Sequence, residues 1–203
     1  MFSCWTPNAS LGAISAHRLL GRATAWYWSA LVREGEPLLH VTEWEIALRR
    51  DAPGVLKAHG LWAEHVCVAP MEQWTVSNEC YATAIDDADD ALGRAYGLPT
   101  AIALDLEWYA TAPPEPQPGA LGAGYAQDGV VHGVIELPGQ TQPLTEVPGR
   151  RWHRWGERLG PLPLPDAYAH TGLRAPFVFP DGTVVDWVLS PDGFRARTPP
   201  ATE

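Results

Sequence analysis

The chain is short of cysteine, of lysine and of long apolar runs, and each shortage closes off a class of protein. Cys4, Cys67 and Cys80 are the only cysteines in 203 residues. An odd number without paired spacing predicts reduced thiols and a cytoplasmic protein. Lys57 is the sole lysine, and the formal net charge is −10. Such a surface repels phosphate, which argues against nucleic acid and anionic membranes as partners. No run approaches the length of a membrane span, and the Met1–Pro7 stretch lacks the basic and apolar regions of a secretory signal. A phosphate-binding glycine loop, a nucleophile elbow and a zinc-ligand spacing are all missing. The seven histidines (17, 40, 59, 65, 132, 153 and 170) are scattered one by one, so neither a metal nor a cofactor is expected.

What the chain has instead is ten tryptophans, twenty prolines and a recurrent alternation. Its length suffices to bury a core without disulfides or metal, and residues 1–203 read as one domain. Arg22–Arg33 alternates, with Ala25, Tyr27 and Ser29 on one face and Trp26 and Trp28 on the other. Leu38–Arg49, Val55–Ala69, Trp74–Ile85, Ala101–Ala110, Gln127–Pro138 and Gln140–Val147 continue as strands. Ala167–Phe179 and Thr183–Leu189 form a last hairpin about Pro180-Asp181-Gly182, with a frayed tail after Ser190. Asp86–Tyr96 has the cap, acidic first turn and terminal glycine of a short helix. Residues 1–20 carry weak signals. The Pro/Gly-rich stretch 112–124 is a surface loop, either a lid or a linker. About eight to ten short strands without strand–helix alternation predict an all-β, antiparallel barrel, wide enough for one small ligand.

Residues 60–85 hold the densest candidate site. A four-residue turn at Pro70–Gln73 would set His65 opposite Asn78 and Glu64 opposite Glu79. His65, Cys67, Trp74, Val76 and Asn78 would share one face; Trp62, Glu64, Val66, Thr75, Glu79 and Tyr81 the other. Opposed carboxylates repel, so a buried pair would keep one proton and serve as an acid. Glu64, His65, Asn78 and Glu79 are therefore the catalytic candidates, against the alternative that one face is simply solvated. Trp62, Trp74, Tyr81, Trp108, His132, His153, Trp155 and Trp187 are the candidate ligand-binding residues, since tryptophan grips apolar molecules well. Asp105 and Glu107, opposite an all-apolar face, are expected in solvent. Arg151, His153 and Trp155 read as a turn, either a barrel-mouth cluster or a cation–aromatic patch.

Four stretches carry a resemblance: Gly60–Glu64, Glu72–Glu79, the turn Gly149–Gly156 and Gly172–Pro176. Together they resemble the AttH/carotenoid 1,2-hydratase superfamily, over about residues 60–190. The resemblance implies a lipocalin-like β-barrel, and a pocket near Glu64, Trp74, Asn78 and His153. It also implies activity on polyenes, terpenoids or polyketides. Members usually have two barrels, whereas this chain has room for one, and Trp152 and Arg154 depart from the pattern around His153. The expected activity is a cofactor-free cyclisation or isomerisation of an apolar substrate held in a Trp-rich barrel. A hydratase and a non-catalytic carrier are the alternatives.

Overall fold

A computed structural model describes residues 1–52, 54–116, 123–156 and 172–197. The strands are β1 (Phe2–Trp5), β2 (Leu11–Leu20), β3 (Thr24–Arg33), β4 (Leu38–Ala47), β5 (Val55–Ala58), β6 (Leu61–Ala69) and β7 (Gln73–Ile85). There follow β8 (Leu98–Ala110), β9 (Glu115–Pro116), β10 (Ala123–Leu137), β11 (Gln140–Trp155), β12 (Leu173–Val178), β13 (Val184–Ser190) and β14 (Gly193–Arg197). The protein is all-β and every pairing is antiparallel. Eight strands close into a ring in the order β4-β3-β2-β1-β11-β10-β8-β7, because β4 pairs again with β7. Closure is brief: Leu38, Leu39 and His40 meet Ile85, Ala84 and Thr83. Along the rest of that edge β7 pairs with β6, which carries β5.

Alternation builds two cores from the same strands. Inward side chains such as Phe2, Tyr27, Leu31, Val76, Leu104, Trp108, Val131 and Ile135 fill the ring. Outward side chains of β1–β4, including Trp5, Ile14, Ala16, Ala30 and Val32, pack beneath the sheet β12-β13-β14. Bare glycines let that sheet come close: a Cβ on Gly12 would sit 2.7 Å from Leu189 and Phe194.

Several expectations are corrected. Residues 1–20 form β1 and β2 and supply two staves of the ring. Val55–Ala69 breaks at the His59-Gly60 turn, where Gly60 has φ +70°, into β5 and β6. In β4, strict alternation would put Leu38, His40, Thr42, Trp44, Ile46 and Leu48 on one face, and a bulge breaks it. Glu45 takes φ +66°, and Ile46 joins Leu39 and Val41 inside while Leu38 packs outside. The expected helix at Asp86–Tyr96 is a single 3-10 turn, Ala88–Leu92, capped by Asp87 and ended at Gly93. Arg151, His153 and Trp155 lie in β11, not in a turn. Of the tail after Ser190, Gly193–Arg197 form β14 on β13, and 198–203 lie outside the described residues. Of the 112–124 loop, Glu115 and Pro116 pair with β10, and 117–122 lie outside the described residues, as do 160–166 and His170. No described helix is long and apolar enough to cross a membrane.

Candidate functional site

The β6–β7 hairpin has the expected faces in a different register. His65 lies opposite Val76, Cys67 opposite Trp74, and Ala63 opposite Asn78. The shift from the expected pairing is two residues, and a two-residue slip leaves every side chain on its own face. One residue of the shift comes from the turn, where Ala69 pairs with Gln73 and not Trp74, and the other from a bulge at Val68, between Cys67 and Ala69. His65 and Asn78 consequently point into the ring, at 7% and 0% exposure. Glu64 and Glu79 point outward and are not opposed, because Glu64 faces Ser77 and Glu79 faces Trp62. The repelling carboxylate pair is absent.

Inside the ring His65 and Asn78 are joined by residues from β2 and β3. Asn78 Oδ1 accepts from the Leu104 amide at 3.2 Å, which fixes the orientation of the side-chain amide. Asn78 Nδ2 then donates to Tyr27 Oη at 2.7 Å and to Ser29 Oγ at 3.3 Å, and Ser29 donates to Ile14 O. Tyr27 Oη lies 3.0 Å from Ser15 Oγ, Ser15 Oγ 2.8 Å from His65 Nε2, and His65 Nδ1 2.9 Å from His17 Nδ1. Either direction along the hydroxyls and imidazoles satisfies these links; one of the two runs outward from Asn78. Tyr27, receiving from Asn78, gives its proton to Ser15; Ser15 gives to His65 Nε2; and His65 Nδ1–H gives to His17 Nδ1. In that order the chain ends on His17, with its proton on Nε2 and no hydrogen-bond partner for that nitrogen among the described residues. Burial keeps both imidazoles neutral, holding His17 down to about 4 and His65 well below its ordinary value. Burial also pushes the Tyr27 phenol up to about 12.

Beside this chain lies a guanidinium. Arg151 is 4% exposed, with its Cζ 4.4 Å from the Trp74 ring, 5.1 Å from Tyr125 and 5.9 Å from Phe2. Among the described residues no carboxylate pairs with it; its hydrogen-bond partner is the weak acceptor Met71 Sδ, at 3.9 Å. Aromatic faces balance the charge without occupying its N–H donors. Phe2 touches both groups, its ring 5.4 Å from His65. His153 stacks on Tyr125 at 5.5 Å and is held below its usual range by burial and then by Arg151. One end of the ring therefore gathers His17, His65, Trp74, Tyr125, Arg151 and His153.

The remaining candidates fall elsewhere. Trp108 is fully buried in the ring core. Trp62 is half-buried on the outer face, and Tyr81 is 68% exposed. His132 sits at a bulge in β10, edge-on to Tyr109. Trp155 is 51% exposed beside His153, and Trp187 packs on Trp152 outside the ring. Asp105 and Glu107 are exposed, as expected. A void of about 10 Å³ inside the ring is lined by Phe2, Ser15, Trp108 and Val131 among others. No group of three or more potential metal ligands occurs among the described residues. Ser15, His17 and Tyr27 were not singled out from the sequence. Their signal was polar side chains at alternate positions of Leu11–Leu20 and Thr24–Arg33, a pattern that outward faces share.

Comparison with protein-family models, with curated proteins and with solved structures finds no match to this chain.

Proposed function

We propose that the chain is a cofactor-independent cyclase or isomerase acting on an apolar, carbonyl-bearing substrate of the polyene, terpenoid or polyketide type. Substrate would bind at the end of the ring, because the void lined by Phe2, Ser15 and Trp108 inside it is only about 10 Å³. The supporting observation is that two groups able to donate lie at that end: a buried guanidinium with no carboxylate partner among the described residues, and a neutral imidazole at the end of a hydrogen-bond chain. Donors fixed in a dry site and aimed at a carbonyl oxygen stabilise charge as it develops. In this reading Arg151 and His17 Nε2–H hold that oxygen, and Trp74 and Tyr125 flank the apolar chain. Asn78, Tyr27, Ser15 and His65 position His17. Holding a flexible chain in a reactive conformation adds its own rate gain, up to ~7–11 kcal/mol for well-oriented partners.

The hydratase reading asks for a carboxylic acid in the site, and Glu64 and Glu79 are on the outer face. A carrier in which the ring encloses its ligand has little support from so filled a core.

Mass spectrometry of the protein with paired substrates, with and without a carbonyl, tests the proposal. Carbonyl-bearing members should give products of unchanged mass and new retention time, slowed about 10²–10³-fold in Arg151→Met or His17→Phe. Products carrying one added water, or equal turnover of the hydrocarbon members, would sink it.

A further inference from the structure

The brief closure of the ring creates a second space, at the opposite end of β7 from Trp74. Beyond His40, β4 turns away from β7, while the Tyr81 amide donates to Gly60 O at 3.0 Å and so ties β7 to the β5–β6 turn. Between them opens a cleft of about 190 Å³. Thr42 and Glu43 of β4 form one wall, Tyr81 and Thr83 of β7 the other, and His59 stands at the turn. From Val41 onward the β4 edge facing this space has no ladder partner on β7, which leaves its amides and carbonyls available. Gly60, at φ +70°, presents no side chain to Tyr81; a Cβ there would lie 3.3 Å from the ring.

Size and chemistry select the occupant. The cleft is below the roughly 300–1,000 Å³ of drug-sized pockets, yet it equals about six waters at ~30 Å³ each, the scale of one six-membered sugar ring. Its lining is mainly polar, so an apolar ligand gains little. No arginine or lysine borders it, and Glu43 is a carboxyl, so an anion is disfavoured. Desolvation pushes the Glu43 carboxyl up, with His59 pulling the other way, as expected of a carboxylate partly shielded from bulk water. A carboxylate accepts two adjacent hydroxyls, hydroxyls and imidazole serve either role, and an exposed phenol ring offers a flat apolar platform. We propose that this cleft binds a single pyranose ring, free or as one glycosyl unit, stacked on Tyr81 and hydrogen-bonded by Glu43, His59, Thr42 and Thr83.

Calorimetric titration of the whole chain with the methyl glycosides of glucose, galactose and mannose, and with ethanolamine as a cationic probe, tests this. At least one glycoside should bind saturably in the millimolar range. Tyr81→Ala and Glu43→Gln should each weaken it about tenfold or more, the scale of one charge-assisted hydrogen bond. Both side chains are reached by solvent, so the variants should keep the wild-type melting temperature. Three results would overturn the proposal: no glycoside heat up to about 50 mM, binding indifferent to both substitutions, or binding of ethanolamine alone. None of these outcomes bears on catalysis at the other end of the ring.

Discussion

Asn78 accepts from the Leu104 amide and donates to Tyr27 and Ser29 while fully buried. Asn78→Ala leaves the buried Leu104 amide without its side-chain acceptor and takes a donor from Tyr27 and Ser29, and should cost about 2–4 kcal/mol in urea unfolding. A loss under 1 kcal/mol would mean that the network is not tied together as drawn. The buried imidazoles set a pH dependence. Burial holds His17 and His40 down to about 4 and His65 well below its usual range, whereas the unfolded chain protonates them near 6.5. As pH drops, the unfolded state takes up protons first. The imidazoles' share of stability is then whole above about pH 6.5 and lost progressively toward pH 4, by about 1.4 kcal/mol per pH unit for each imidazole. Equal urea midpoints at pH 7.5 and 5.0 would contradict this. Catalysis by a neutral His17 should stay flat over the same range and fail only as pH approaches its folded value of about 4. At the residue scale the sequence revealed the inward direction of His65 and Asn78, because alternation survives a two-residue slip. It did not reveal their partners, since which strands meet across the ring depends on closure.

Among the elements, β8 shows how a strand is fitted to its neighbours. Trp108 is legible in the sequence as one of an apolar face, yet its place in the core depends on two glycines that pair across β10 and β11. A Cβ on Gly129 would meet Trp108 Nε1 at 2.5 Å as well as the Tyr109 carbonyl, and one on Gly149 would meet Val131 at 2.7 Å. Gly129→Ala should therefore destabilise by about 1–3 kcal/mol through overpacking, read as a lowered melting temperature; an unchanged one would show that the indole has room to shift. Misread elements share a local cause. The face of β4 reverses at Glu45 because one residue adopts φ +66°, and a glutamate gives no sequence signal for it. The helical pattern of Asp86–Tyr96 has capping residues but buries only Ala91, so no apolar face sustains more than one turn.

For the whole molecule, the sheet β12-β13-β14 is what allows the ring to be apolar on both faces of β1–β4. Phe177 is fully buried there and stacks 4.7 Å from His40, and Asp186 binds Arg174 and Arg197 to hold the three strands together. Phe177→Ala should cost about 3–5 kcal/mol and unfold ring and sheet in one transition. Two transitions would show that they are independent units. The all-β architecture was legible from strand count and spacing. Which strands close the ring was not, because three residue pairs decide it.

The functional reading rests on the direction of the hydrogen-bond chain and on the neutrality of its terminal imidazoles. Nitrogen-15 spectra of the histidine side chains at pH 6.5 test both at once. The expected result is two neutral rings, His65 carrying its proton on Nδ1 and His17 on Nε2. An imidazolium at either position, or His65 protonated on Nε2, would reverse the chain and remove the donor on which the proposed chemistry depends.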